Sequence, residues 1–117
     1  MSGSYLDEDE VSAARASELV GAGSAWLLDV REAHEWEAGH APDAHHIPLY
    51  ELQTRQHELP EDQQILVVCH SGGRSRLATD ALNRADYPAA NVAGGMSAWQ
   101  AHGAAVVRDD GSAGDVV

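Results

Sequence analysis

The chain of 117 residues has no lysine, no phenylalanine and a single cysteine. Without lysine there is no amine for Schiff-base chemistry and no P-loop, whose lysine reaches the phosphates of a nucleotide. One cysteine, Cys69, cannot form an internal disulfide, so a reducing compartment, the cytoplasm, is expected. Basic residues are scarce: 7 against 19 acidic ones, all of them Arg, giving a net charge of -12. Such a chain lacks the basic face that non-specific nucleic-acid binding or docking on anionic lipid requires, so neither partner is expected. No apolar run approaches the roughly 20 residues of a membrane helix. Met1-Ser2-Gly3-Ser4 shows neither the basic start nor the apolar stretch of a signal peptide.

What remains is ordinary globular composition, 44% hydrophobic and 22% charged, at the length of one domain. Residues 1–10 read as a flexible acidic N-terminus, 11–103 as the domain and 104–117 as a flexible C-terminal tail. Ser12 suits a helix N-cap and Gly21 its stop. Apolar runs at 25–30 and 64–69 read as strands buried on both faces, and 45–47 and 91–93 as shorter strands. Helices are expected at 31–38, 75–85 and 96–102, with a weak one at 50–58. In the 75–85 helix, Leu77, Ala78, Ala81, Leu82 and Ala85 form the apolar stripe. Alternating strands and helices predict an α/β domain in three layers, a mostly parallel sheet of about five short strands flanked by helices.

Sites in such sheets form at the carboxyl ends of strands, and Cys69 ends the strongest one. A lone cysteine is more often an inert core residue than a nucleophile. Its neighbours change that balance. In Cys69-His70-Ser71-Gly72-Gly73-Arg74-Ser75 two glycines let the backbone curl, turning successive N–H groups inward as an anion-binding nest. The helix that follows adds free N–H groups and the positive end of its dipole. Arg74 and Arg76 add charge, and residues 63–79 contain no Asp or Glu. A cysteine in that setting is expected to ionise readily.

This segment closely resembles the active-site loop, C-x-x-G-x-R-S, of small bacterial rhodanese-family sulfurtransferases. The resemblance extends over residues 11–102: Leu28-Asp29-Val30-Arg31-Glu32 with Glu35-Trp36 and Gly39-His40, then Ala44-His45-His46-Ile47-Pro48, then Asn91-Val92, Gly94-Gly95 and Ala98-Trp99. Ala41, Asp43 and His46 depart from the family's usual Ile, Gly and Asn. The resemblance implies a cycle in which Cys69 takes a sulfane sulfur from a donor such as thiosulfate, becomes a persulfide, and passes the outer sulfur to cyanide or a thiol. His70, Ser71, Gly72, Gly73, Arg74 and Ser75 are then the substrate-binding residues, with Asp29, Arg31 and Arg76 in support. No metal or organic cofactor is implied.

Asp29 and Arg31 also fit a plain ion pair at a strand end, and Glu35 fits a structural partner for an Arg. His40, His45 and His46 lack metal-site spacing. Cys69 to Arg74 is C-x4-R, one residue shorter than the C-x5-R of related phosphatases and arsenate reductases, which favours a sulfur-sized cradle. A non-enzymatic persulfide carrier serving a sulfur-accepting protein is the main alternative. Nothing demands more than a monomer, and the abundance of Ala, Gly and Arg without Lys points to a GC-rich bacterial genome.

Overall fold

The structure, a computed structural model, describes residues 5–117, so the reading of the first four residues lies outside it. Five strands, β1 (Glu10–Val11), β2 (Trp26–Asp29), β3 (Ala44–His46), β4 (Ile65–Val68) and β5 (Ala89–Val92), form one sheet in the order β1-β5-β4-β2-β3. Every pairing is parallel. Helices α1 (Ala13–Gly21), α2 (Ala33–Ala38), α3 (Gly73–Arg84) and α4 (Gly95–Ala101) intervene.

β4 shows why this is a three-layer fold. Its β-branched residues favour a strand, and alternate side chains leave opposite faces. Leu66 and Val68 join Ala16, Val20, Met96 and Trp99, the layer of α1 and α4. Ile65, Val67 and Cys69 join Leu52, Leu59, Ala78 and Leu82, the layer containing α3. Ser12 caps α1, its side chain accepting from the Arg15 N–H at 3.1 Å. Among the described residues no helix is long and apolar enough to cross a membrane.

Several sequence expectations need correction. Residues 50–58 form two 3-10 turns, Leu49–Glu51 and Gln56–Glu58, rather than a helix. The Arg55 N–H donates to the Glu51 carbonyl at 3.0 Å, but Arg55 itself, at φ -109° and ψ 14°, leaves helical torsions and the helix does not continue. α3 starts two residues early because Gly72, at φ 118°, serves as its N-cap. Its inward stripe is Ser75, Ala78, Thr79 and Leu82, while Leu77 is 64% exposed and Ala81 and Ala85 face solvent. Once Ser75 faces the sheet, the helical period carries positions three, four and seven further along inward and turns Leu77 out. Leu77 instead borders a groove of about 310 Å³ with Leu49 and Leu52.

The termini are also tied to the domain. The Asn91 N–H donates to the Asp9 carbonyl at 2.8 Å, and β1 takes the sheet edge beside β5. Beyond residue 103, where the sequence reads as a flexible tail, Val107 bridges His40 and Ala113, and the Asp115 N–H donates to the Ala38 carbonyl at 2.9 Å. Gly39 permits this approach: a Cβ there would lie 2.5 Å from the Asp115 backbone nitrogen.

Candidate active site

Cys69 leaves the carboxyl end of β4 and is 1% exposed. The first turn of α4 holds its loop from behind. Met96 N–H donates to the Cys69 carbonyl at 2.7 Å, and Ser97 N–H to the His70 carbonyl at 3.0 Å. The left-handed Gly72 then reverses the chain, so the N–H groups of the first turn of α3 have no partner within the helix. Gly72 N–H points at Cys69 Sγ, 3.1 Å away. Ser75 Oγ lies 3.3 Å from the same sulfur.

Two opposing effects act on the thiol. Burial pushes the Cys69 pKa up. The Ser75 hydroxyl and the backbone N–H groups of Ser75, Gly72 and Ser71 stabilise the thiolate and outweigh it, leaving the thiol below its ordinary value. His70 and Arg74 are half-buried, while Ser71 and Gly73 are exposed. Of residues 70–75, Gly72 and Ser75 thus each place a donor within 3.3 Å of the sulfur.

The arginines behave differently from one another. Arg74 makes a two-pronged ion pair with Glu35 of α2, Nη1–Oε1 2.7 Å and Nη2–Oε2 2.9 Å. Arg76 does not support the sulfur directly. It points to the sheet edge, bonding Asp9 at 3.0 Å and Asp80 at 2.9 Å. Two residues along a helix are about 200° of rotation, so Arg74 and Arg76 leave nearly opposite sides of α3. The setting of Cys69 is therefore hydrogen-bond donors more than free cationic charge. A second segment without Asp or Glu, residues 87–108, supplies β5, the Gly94-Gly95 turn and α4 at its back.

Asp29 and Arg31 are fully buried and pair with each other, Nη2–Oδ2 2.8 Å, with a further bond from Arg31 Nη2 to the Gly39 carbonyl at 2.8 Å. Neither hydrogen-bonds to the Cys69 loop among the described residues. They fix the end of β2 and the turn after α2, the element that carries Glu35. The histidines are absorbed by stacking: His40 and His46 on Trp36, centroids 3.6 and 4.8 Å apart, and His45 on Trp26 at 4.0 Å.

Sequence reasoning missed two contributors. Gly95 sits against the Cys69 and His70 carbonyls, where its own lack of a side chain is required. Asn91, a polar residue in an otherwise apolar strand, faces Ser75 at 2.5 Å. Its polarity inside Ala89–Val92 was the available signal.

The profile of the rhodanese-like domain matches residues 12–102. The chain belongs to the rhodanese-like domain family. A sulfurtransferase of Allochromatium vinosum is 35% identical over 86 residues, covering 73% of this chain and 80% of that protein. YrkF of Bacillus subtilis, named as a candidate sulfur carrier protein, is 42% identical over 74 residues, or 62% of this chain, which spans only 40% of YrkF. Among solved structures, a rhodanese-related protein of Thermoplasma volcanium superposes with a TM-score of 0.79 at 31% identity, covering 84% of this chain and 96% of that one.

In this rhodanese-like domain the Arg74–Glu35 pair has a measurable signature. The Arg74 guanidinium holds the Glu35 pKa down, from 4.5 to about 2. A carboxylate depressed on folding contributes stability fully above pH 4.5 and loses it as pH falls toward 2. Glu35→Gln should therefore cost on the order of 2 kcal/mol at pH 7, allowing for solvent at Arg74. Urea unfolding at pH 7 and pH 3 checks this: the gap between wild type and variant should narrow in acid, and a constant gap would contradict the pairing.

Proposed function

We propose that this chain is a sulfurtransferase that carries sulfane sulfur as a persulfide on Cys69. The observation that carries the reading is the buried Cys69 sulfur faced by the Gly72 N–H and the Ser75 hydroxyl at the start of α3. The naming of family relatives as a sulfurtransferase and a candidate sulfur carrier supports the same chemistry.

With thiosulfate as donor, the Cys69 thiolate attacks the outer sulfur. The donor S–S bond breaks, sulfite leaves with the electron pair, and Cys69 becomes a persulfide anion. Cyanide or a thiolate then attacks the outer sulfur, and the cysteine thiolate is released. Both anionic stages benefit from donors already in place, and one preorganised donor of this kind is worth roughly 3–4 kcal/mol in enzymes where it has been removed. The residues around the loop opening, His70, Ser71 and Gly73, meet donor and acceptor. Arg74, held by Glu35, supplies an oriented cationic edge. The cycle needs no metal or organic cofactor.

Carriage of the sulfur to a partner protein, without rapid turnover, is the second reading, favoured by the similarity to YrkF. Phosphatase or arsenate reductase chemistry stands third, because the C-x4-R loop is short.

Incubation with thiosulfate should add the mass of one sulfur atom to the intact protein. If thiosulfate, polysulfide and glutathione persulfide all fail to add it, sulfur transfer and carriage both fall. Rapid thiocyanate formation from cyanide selects the enzyme over the carrier, and hydrolysis of an aryl phosphate would select the phosphatase.

A further inference from the structure

Asn91 is 3% exposed in the centre of the fold, and its surroundings dictate which way its amide points. In the parallel register it lies opposite Glu10 of β1 and Val67 of β4. Its Nδ2 donates to Glu10 Oε2 at 3.0 Å. A carboxylate can only accept, so this bond turns Asn91 Oδ1 toward Ser75. Ser75 Oγ is 2.5 Å from that oxygen, 3.2 Å from the Gly72 carbonyl and 3.3 Å from Cys69 Sγ. A hydroxyl has one hydrogen, and three acceptors compete for it. The short contact to Asn91 wins while Cys69 is a thiol.

We propose that Asn91, oriented by Glu10, is a positioning residue for Cys69: it holds the Ser75 hydroxyl hydrogen away from the sulfur, and surrenders it when the thiolate forms. In the thiol state, the Ser75 oxygen presents a lone pair to the Cys69 S–H. When the thiol proton is lost to solvent, the hydroxyl rotates toward sulfur and leaves Asn91 without its donor. Glu10, on the edge strand, thereby sets how readily a cysteine two strands away ionises. The proposal deepens the reading of Cys69 as nucleophile, but its test needs no sulfur donor, so either can fail alone.

Cys69 is the single cysteine, so the pH dependence of iodoacetamide alkylation reports its ionisation directly. Arg74, which interacts electrostatically with the sulfur, is paired with Glu35, while Glu10 faces Arg76 at 3.9 Å. Asn91→Leu should lower the alkylation midpoint by roughly half to one pH unit, a three- to tenfold faster reaction below the midpoint, the effect of freeing one hydrogen bond. Glu10→Gln should shift it the same way, because an amide at position 10 lets Asn91 turn over and donate to Ser75. Measuring in about 1 M salt, where the screening length is roughly 3 Å, weakens the effect of the lost carboxylate, which is exposed. In a Ser75→Ala background neither substitution should move the midpoint. An unchanged or raised midpoint in Glu10→Gln, an exposed-edge variant that does not disturb the core, overturns the proposal. So does an Asn91→Leu shift that persists without the Ser75 hydroxyl.

Discussion

Cys69→Ser should abolish both sulfur uptake and turnover. A serine hydroxyl does not ionise near neutral pH and forms no persulfide, so the covalent step has no substitute. Loss of a nucleophile that works with its surroundings as a unit costs on the order of 10^4-fold or more in turnover. Intact mass after thiosulfate treatment and thiocyanate formation both read the result. Because no second cysteine exists, any sulfur gained by the variant would place the chemistry elsewhere and refute the assignment. The fold should survive: the Gly72 N–H that points at sulfur can donate equally to a hydroxyl oxygen.

Gly95→Ala should have the largest effect on stability. Gly95 has φ 58°, and an added Cβ would stand 2.5 Å from the His70 carbonyl oxygen. The obstacle is backbone, which cannot swing aside as a long side chain would. Left-handed strain costs about 1–2 kcal/mol and overpacking about 1–3 kcal/mol more. A total of about 3 kcal/mol corresponds to a fall in Tm of about 10 °C or more for a domain of this size. Activity should fall with it, since the Met96 and Ser97 amides that hold the Cys69 and His70 carbonyls must move. Gly73→Ala is the contrasting control. Nothing lies within 4 Å of its Cβ position, and its φ is not left-handed, so alanine at the start of α3 should leave Tm unchanged or raised. Equal melting of both variants would show that the Gly95 contact is not what holds the loop.

The legible part of the site is the part made within a few residues. The curl from Cys69 to Ser75 arises from two glycines between a β-branched strand and a helix, and each of those signals is local. The Arg74–Glu35 pair spans 39 residues, and only the kind of partner for Glu35 was legible. Arg76 looked like a second cation at the sulfur because it lies only two positions from Arg74 in sequence. Its direction depends on α3's rotation and on an edge strand that two residues of an acidic segment barely announce. Leu77 misleads for the same reason: a stripe of apolar residues specifies a helix, but Ser75's place against β5 selects which side of it turns inward.

By itself the sequence determined a parallel α/β domain, the ends of its main elements to within a few residues, and a lone cysteine in a loop of inward amides. Those properties follow from side-chain period, β-branching and glycine torsions, all of which act over short stretches of chain. The tertiary structure alone decided what stands behind that cysteine. It joined Glu10 to Asn91 across 81 residues and Asn91 to Ser75 across 16, and it pressed Gly95 against the loop's carbonyls. These contacts depend on strand order and on the rotation of a helix against the sheet, which come from burying the whole core at once rather than from any one segment's preference.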